Sequence, residues 1–282
     1  MVKRRHHRFV VILCATLLTL LCPGCGSSIG GNGSPTATDS SACVAVPRQH
    51  STATTSAACP PALLVFSKTA EFRHDSIPAA QAALRQLAAE HGWRADFTED
   101  ATLFTYERLA RYDAVIFLLT TGDVLDSAQE AAFERYIRAG GGFVGVHSAS
   151  DTEYGWAWYG GLVGAHNNQQ NKHSGVVSAT IQVSDHAHPS TAGLPDRWTR
   201  TDEWYNFAVN PRPQVHVLMT MDESTYTGGT MGADHPIAWY HEYDGGRAWY
   251  TALGHTVESY REPLFLAHLW GGIEYAADRA TQ

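Results

Sequence analysis

The chain has 282 residues, of which 44% are hydrophobic and 17% charged, and its net charge is −8 with histidines neutral. The length admits one sizeable domain with appendages, and the acidic balance excludes the usual electrostatic basis for a nucleic-acid partner. Histidine is the unusual count, 15 in all, alongside eight tryptophans; imidazoles, aromatics and carboxylates together suit a small-molecule carbohydrate.

The first segment carries a basic head, Lys3, Arg4, Arg5 and Arg8, then the charge-free "FVVILCATLLTLL". That apolar run is too short for a comfortable bilayer span and has the layout of a secretory signal. It ends in "LCPGCGSS", where Gly24 directly before Cys25 fits a lipobox, although Cys22 stands where Leu is usual. Residues 1–25 are therefore expected to be a signal, with Cys25 the lipid attachment site of an exported, membrane-anchored protein; secretion is the alternative. Residues 26–61, rich in Ser, Thr, Ala, Gly and Pro, are expected to be a flexible linker with too few large apolar groups to offset the entropy of ordering. All five cysteines (Cys14, Cys22, Cys25, Cys43 and Cys59) precede the folded domain expected over 62–282. Two of them, Cys43 and Cys59, remain after processing, and sequence leaves their pairing open.

Within the domain, "ALLVFS" reads as a buried strand. A loop with "FRHDSI" follows, and Ser76 is expected to cap a helix with Pro78 in its first turn and Gly92 at its end. "WRADFTED" reads as a second, alternating strand. "YDAVIFLL" reads as a third, buried on both faces. A helix opens at Asp126 with Gln129 in a capping-box arrangement and stops at Gly140 to Gly142. Phe143 to Val146 forms the fourth strand. This alternation predicts an α/β fold with a mostly parallel sheet, whose ligands gather at the strands' carboxyl ends. Topology thus gathers His74, Asp123, His147, Ser148 and Asp151 near one crevice. The second half predicts strands in "HSGVVSATIQVSD", "QVHVLMTM", "HPIAWYHEYDGG" and "RAWYTALGH", the last two forming a hairpin around Asp244 to Gly246, before a closing helix with Leu264, Leu266, Leu269 and Ile273 inward.

The motifs "FRHDSI", "GGGFVGVHSASD", "DEWYNF", "HPIAWYHEYDGGRAWYTALGHT" and "FLAHLWGGIEYA" together resemble the ThuA-like, trehalose-utilisation family from about Ala62 to Ala277. The resemblance implies a flavodoxin-like doubly wound sheet, similar to the class I glutamine amidotransferases, with extra strands in the second half. It also implies a role in carbohydrate metabolism, with disaccharides or their 3-keto forms as substrates. Amidotransferases carry a cysteine nucleophile at the strand-to-helix elbow, where this chain reads Gly145-Val146-His147-Ser148-Ala149. No cysteine follows Cys59, so thiolate attack and the corresponding glutamine hydrolysis are excluded.

His147 at the elbow suits a general base, because imidazole titrates near neutrality. Ser148 is a candidate nucleophile or substrate contact, His74 lines the crevice, and Asp151 is expected beside them. In "TDEWYNF", Asp202 and Glu203 would point to opposite sides of an extended segment and are both candidate acids or bases, with Trp204 and Tyr205 as a stacking shelf. His235 and His255, at strand ends, are candidate substrate contacts. The further histidines His166, His173, His186, His188 and His241 would supply ligands for a divalent metal, but no H-E-x-x-H or cysteine spacing commits to one, so no cofactor is expected. Acid–base chemistry on a glycoside or keto sugar is the leading expectation. A non-catalytic sugar-binding lipoprotein and a metal-dependent hydrolase are the alternatives, and oligomeric state is left open.

Overall fold

The computed structural model describes residues 59–278. The expected signal, the Cys25 lipid site, Cys43 and the linker up to residue 58 lie outside the described residues. In chain order the elements are β1 (Ala62–Phe66), α1 (Ile77–Glu90), β2 (Arg94–Thr98), α2 (Tyr106–Leu109), β3 (Ala114–Leu118), α3 (Ser127–Arg138), β4 (Gly142–Val146), α4 (Ala157–Val163), β5 (His173–Val183), β6 (Arg197–Tyr205), β7 (His216–Asp222), β8 (Pro236–Tyr243), β9 (Gly246–Thr251) and α5 (Pro263–Ala277). The nine strands form one mixed sheet in the order β2-β1-β3-β4-β9-β8-β7-β5-β6. No described helix is long and apolar enough to cross a membrane.

The portion from β2 to β9 is parallel, with Val146 of β4 beside Thr251 of β9 at their carboxyl ends. Every residue of β1, β3 and β4 is buried, as a strand covered by helices on both faces requires. β2, at the edge, alternates between partly buried and exposed positions. The α5 helix packs against β4 and β9 at backbone distance: a Cβ on Gly272 would lie 2.3 Å from the Trp249 ring. Its buried face is Phe265, His268, Leu269, Trp270 and Ile273, with Leu264 and Leu266 only partly covered.

Two helix starts contrast. Asp126 and Gln129 form the reciprocal capping box on α3. Ser76 stands at the N-cap of α1 but makes no capping bond, and its hydroxyl is buried without a partner. Its backbone is already helical (φ −76°, ψ −13°), whereas a capping side chain needs an extended residue behind it. Pro78 also removes one of the amides a cap would serve. The β8–β9 hairpin turns at Asp244 (φ 48°) and Gly245 (φ 95°), two left-handed residues matching the strand twist.

From β8 to β6 the sheet is antiparallel. Laid flat, five spacings of about 4.8 Å would hold β6 about 24 Å from β4. Yet Glu203 of β6 lies 3.4 Å from His147, the residue after β4. The antiparallel extension therefore bends back over the carboxyl ends of the parallel strands, and this closes the crevice.

Candidate active site

His147 follows β4 with φ 53°, a left-handed conformation that non-glycine residues hold only when the surroundings enforce it. Here the enforcement is visible. The Tyr250 hydroxyl donates to the His147 carbonyl at 2.8 Å and the Tyr159 hydroxyl to the Ala149 carbonyl at 2.7 Å. Gly145 has no room for a side chain, since a Cβ would sit 2.9 Å from the Tyr250 ring. The His147 ring is fully buried. Its Nδ1 lies 2.8 Å from the Ala252 carbonyl; a carbonyl only accepts, so Nδ1 carries the hydrogen and a neutral ring presents the Nε2 lone pair inward. Tyr205 stacks on the ring at 4.3 Å between centroids.

Around that nitrogen three other groups converge. His255 Nδ1 lies at 3.2 Å and Glu203 Oε2 at 3.4 Å from His147 Nε2, and those two atoms are 3.2 Å apart. His74 completes the group, its ring edge-on to His147 and His255 at 4.9 and 5.0 Å. One donor atom from each of the four residues fits within 4.8 Å of the others. The second Glu203 oxygen, Oε1, is 3.0 Å from His173 Nδ1 at the start of β5. Burial pushes the Glu203 carboxyl up, but the hydrogen bonds and charge of His147 and His255 outweigh it and hold it well below the usual carboxylate range. His74 is drawn down to about 2, chiefly by burial and then by the neighbouring imidazoles, so it stays neutral. Burial also opposes protonation of His255, yet the adjoining Glu203 carboxylate raises it above the ordinary imidazole value.

With this geometry in hand, the comparisons with known proteins are decisive for kinship. Residues 62–276 match the family described as trehalose utilisation, ThuA. The chain belongs to the ThuA family. Two solved structures share its fold: a putative ThuA-like protein from Bacteroides uniformis (23% identity, TM-score 0.66, covering 80% of this chain and 95% of that one) and another from Parabacteroides merdae (20% identity, TM-score 0.63, covering 79% and 92%). No match is found among curated proteins. At the family level the chain's role lies in carbohydrate utilisation.

The ThuA-family crevice treats the expected residues unequally. His74, His147, Glu203 and His255 meet in it. Asp202 does not: it is fully buried, accepts from the Gly254 and His255 amides at 2.8 and 3.0 Å, and pairs with Arg200 at 3.0 Å. As strand neighbours must, Asp202 and Glu203 face opposite ways, so the expected catalytic Asp202 is a positioning residue for the loop that carries His255. Trp204 is sealed in the core with its indole N–H on the Val177 carbonyl, and Tyr205 is spent on His147; neither forms the expected sugar shelf. His235 is fully buried with both ring nitrogens occupied, by the Tyr205 carbonyl and Glu223, and is packed rather than substrate-facing. Ser148 is fully buried and its hydroxyl has no partner, so no base activates it. Asp151 accepts from Tyr154 and from Lys172 at 3.0 Å, an ion pair with Lys172 partly exposed. Asp123 is exposed and outside the cluster.

The remaining candidate ligands are dispersed: His186 pairs with exposed Asp196, His188 stacks on Tyr240, His166 on Tyr154, and His241 bonds the Leu162 carbonyl. Sequence reading missed Phe72, 64% exposed with its ring 4.9 Å from that of His74. An aromatic two residues before a crevice histidine was the available signal. A separate surface cavity of about 540 Å3, lined by His216, Tyr240, His241, Glu242, Arg247 and Tyr275 among others, opens at the opposite ends of β8 and β9 and holds none of the four clustered groups.

Proposed function

We propose that this ThuA-family chain is an enzyme that acts on a disaccharide, a glycoside or its 3-keto derivative by acid–base chemistry at the His74, His147, Glu203 and His255 cluster. The observation that carries the reading is convergence: four polar groups from four distant segments bring their donor atoms within 4.8 Å of one another. Burying such groups costs free energy that packing alone gives no reason to incur. An ionised carboxylate beside imidazoles supplies what proton transfer needs. Glu203 and His255 keep the cluster's access to solvent, with side chains 9% and 23% exposed, whereas His147 is closed off. A keto group would acidify the neighbouring carbon–hydrogen bond enough for such a base to remove its proton. Phe72, exposed beside His74, gives a pyranose face a surface to stack on. The order β2-β1-β3-β4-β9 in the parallel portion supports flavodoxin-like winding. The basic head and apolar run at the start of the chain support an exported, lipid-anchored location.

The test is turnover by the purified full chain across a panel of disaccharides, glycosides and their 3-keto derivatives, read by mass spectrometry of the products. Turnover of at least one member, abolished in Glu203→Gln, supports the proposal. Binding without turnover of any member would establish the sugar-binding alternative instead.

A further inference from the structure

The centre of the cluster poses a problem of charge. The hydrogen on His147 Nδ1 is committed to the Ala252 carbonyl, so Nε2, facing the Glu203 carboxylate 3.4 Å away, either carries a second proton and donates to it or aims a lone pair at it. Two acceptors do not face each other in a buried site unless something positive, a proton or an ion, lies between them. His255 Nδ1 approaches the same point, 3.2 Å from each. His74, 4% exposed, adds a ring whose buried Nδ1 has no hydrogen-bond partner.

The spacings fit an ion. A tetrahedral metal with bonds of about 2.0–2.1 Å separates its ligand atoms by about 3.3–3.4 Å. The three close edges here are 3.2, 3.2 and 3.4 Å. An outer contact fits as well. A metal-bound histidine ordinarily donates its other N–H to a carbonyl or carboxylate, and His147 Nδ1 meets the Ala252 carbonyl; on the far side Glu203 Oε1 lies 3.0 Å from His173 Nδ1, which also accepts from the Gly175 amide.

We propose that His147 Nε2, His255 Nδ1 and Glu203 Oε2 bind a divalent first-row transition ion, with His74 closing the fourth side or leaving it to a water. Imidazole nitrogens with one carboxylate oxygen are the donor set of zinc-class and ferrous-class sites rather than of magnesium or calcium. The inference deepens the functional reading of the same cluster. With the ion present, the base acting on a sugar is a water held on the metal, which ionises near neutral pH, rather than a free imidazole.

The experiment uses the full chain without an affinity tag, stripped with chelator and then titrated with Zn2+ and Co2+ by calorimetry in the absence of any sugar. One ion per chain is expected, with an intense visible absorption for the Co2+ form marking a low-symmetry nitrogen–oxygen site. Glu203→Gln should abolish the stoichiometric uptake. His173→Ala, which removes only the outer partner of Glu203, should retain one ion per chain at about 10–100-fold lower affinity. Far-UV circular dichroism checks that each variant is folded. Absence of stoichiometric uptake by the wild type would mean that a shared proton holds the centre, and would overturn the metal. Because uptake is read without substrate, that failure is separate from failure of the carbohydrate panel: a metal-free protein that turns over a sugar sinks this inference alone.

Discussion

The parallel and antiparallel portions of the sheet contribute to the crevice in different ways. The parallel strands β1 and β4 end in loops that deliver His74 and His147, both buried and held by the fold around them. The antiparallel extension delivers Glu203, from a strand at the far edge of the sheet that reaches the crevice only by bending back. β9, which joins the two portions, supplies the loop with His255. The parallel portion thus provides imidazoles in fixed positions, while the extension provides the negative charge and, through Asp202, the pin for the His255 loop. Position and charge come from separate parts of the architecture and can be perturbed separately.

The largest effect is expected from removing the charge while leaving the shape. Glu203→Gln should lower kcat on a responsive carbohydrate by about 10²–10⁴-fold and should also lower the denaturation midpoint at neutral pH, because a carboxyl held below its usual range stabilises the folded chain; steady-state kinetics alongside urea unfolding read the two effects. Asp202→Ala should act chiefly on stability. It removes one of two carboxylates on Arg200, whose side chain is 4% exposed and which keeps Glu262 at 3.0 Å, so the cost should fall below the about 3–5 kcal/mol of a buried pair left with no partner. Chemical denaturation measures that loss; an unchanged midpoint would show that the His255 loop is pinned by something else.

A third measurement addresses the layer behind the crevice. His268 on α5 is fully buried, with Nδ1 on the Ser190 carbonyl and Nε2 on the Thr251 hydroxyl, and burial draws its pKa from 6.5 down to about 3. Above pH 6.5 it is neutral in both folded and unfolded chains and stability does not depend on it. Below that, only the unfolded chain takes the proton, so stability falls as pH drops from 6.5 towards 3, by up to about 1.4 kcal/mol per pH unit. His268→Gln should flatten the dependence of the urea midpoint on pH over that window, with His188, drawn down to about 4, keeping part of the slope. The smallest effect belongs to the periphery of the parallel portion: Asp126→Ala, which removes the capping box on α3, should cost about 1 kcal/mol and leave carbohydrate turnover untouched.

The same division explains what could be read in advance. Apolar runs such as "ALLVF" and "AVIFL" betray strands buried on both faces, and the glycine break before "FVGVHSASD" betrays the elbow, because these depend on local pattern. That placed His74 and His147 at one rim. Alternation along an extended segment likewise required Asp202 and Glu203 to diverge, but not which of them faces the crevice. That depends on β6 bending back across the sheet, a long-range event with no local signature. Trp204 and Tyr205 misled for a related reason. A polar–aromatic cluster reads the same whether its rings face solvent or a neighbouring layer, and here they face the core and the His147 ring. Convergence on His255 was equally hidden, since its partners lie 52 or more positions away in the chain.

The bent-back extension also bears on when the crevice comes into being. Its four principal groups are contributed by positions 74, 147, 203 and 255, so none of their mutual contacts is local, and loops of this length are closed only late and slowly as a chain folds. During synthesis the amino-terminal strands can pair long before the last of these groups has emerged. Assembly of the four-residue cluster therefore coincides with completion of the tertiary structure, and a partly folded chain, however native its first strands, lacks it.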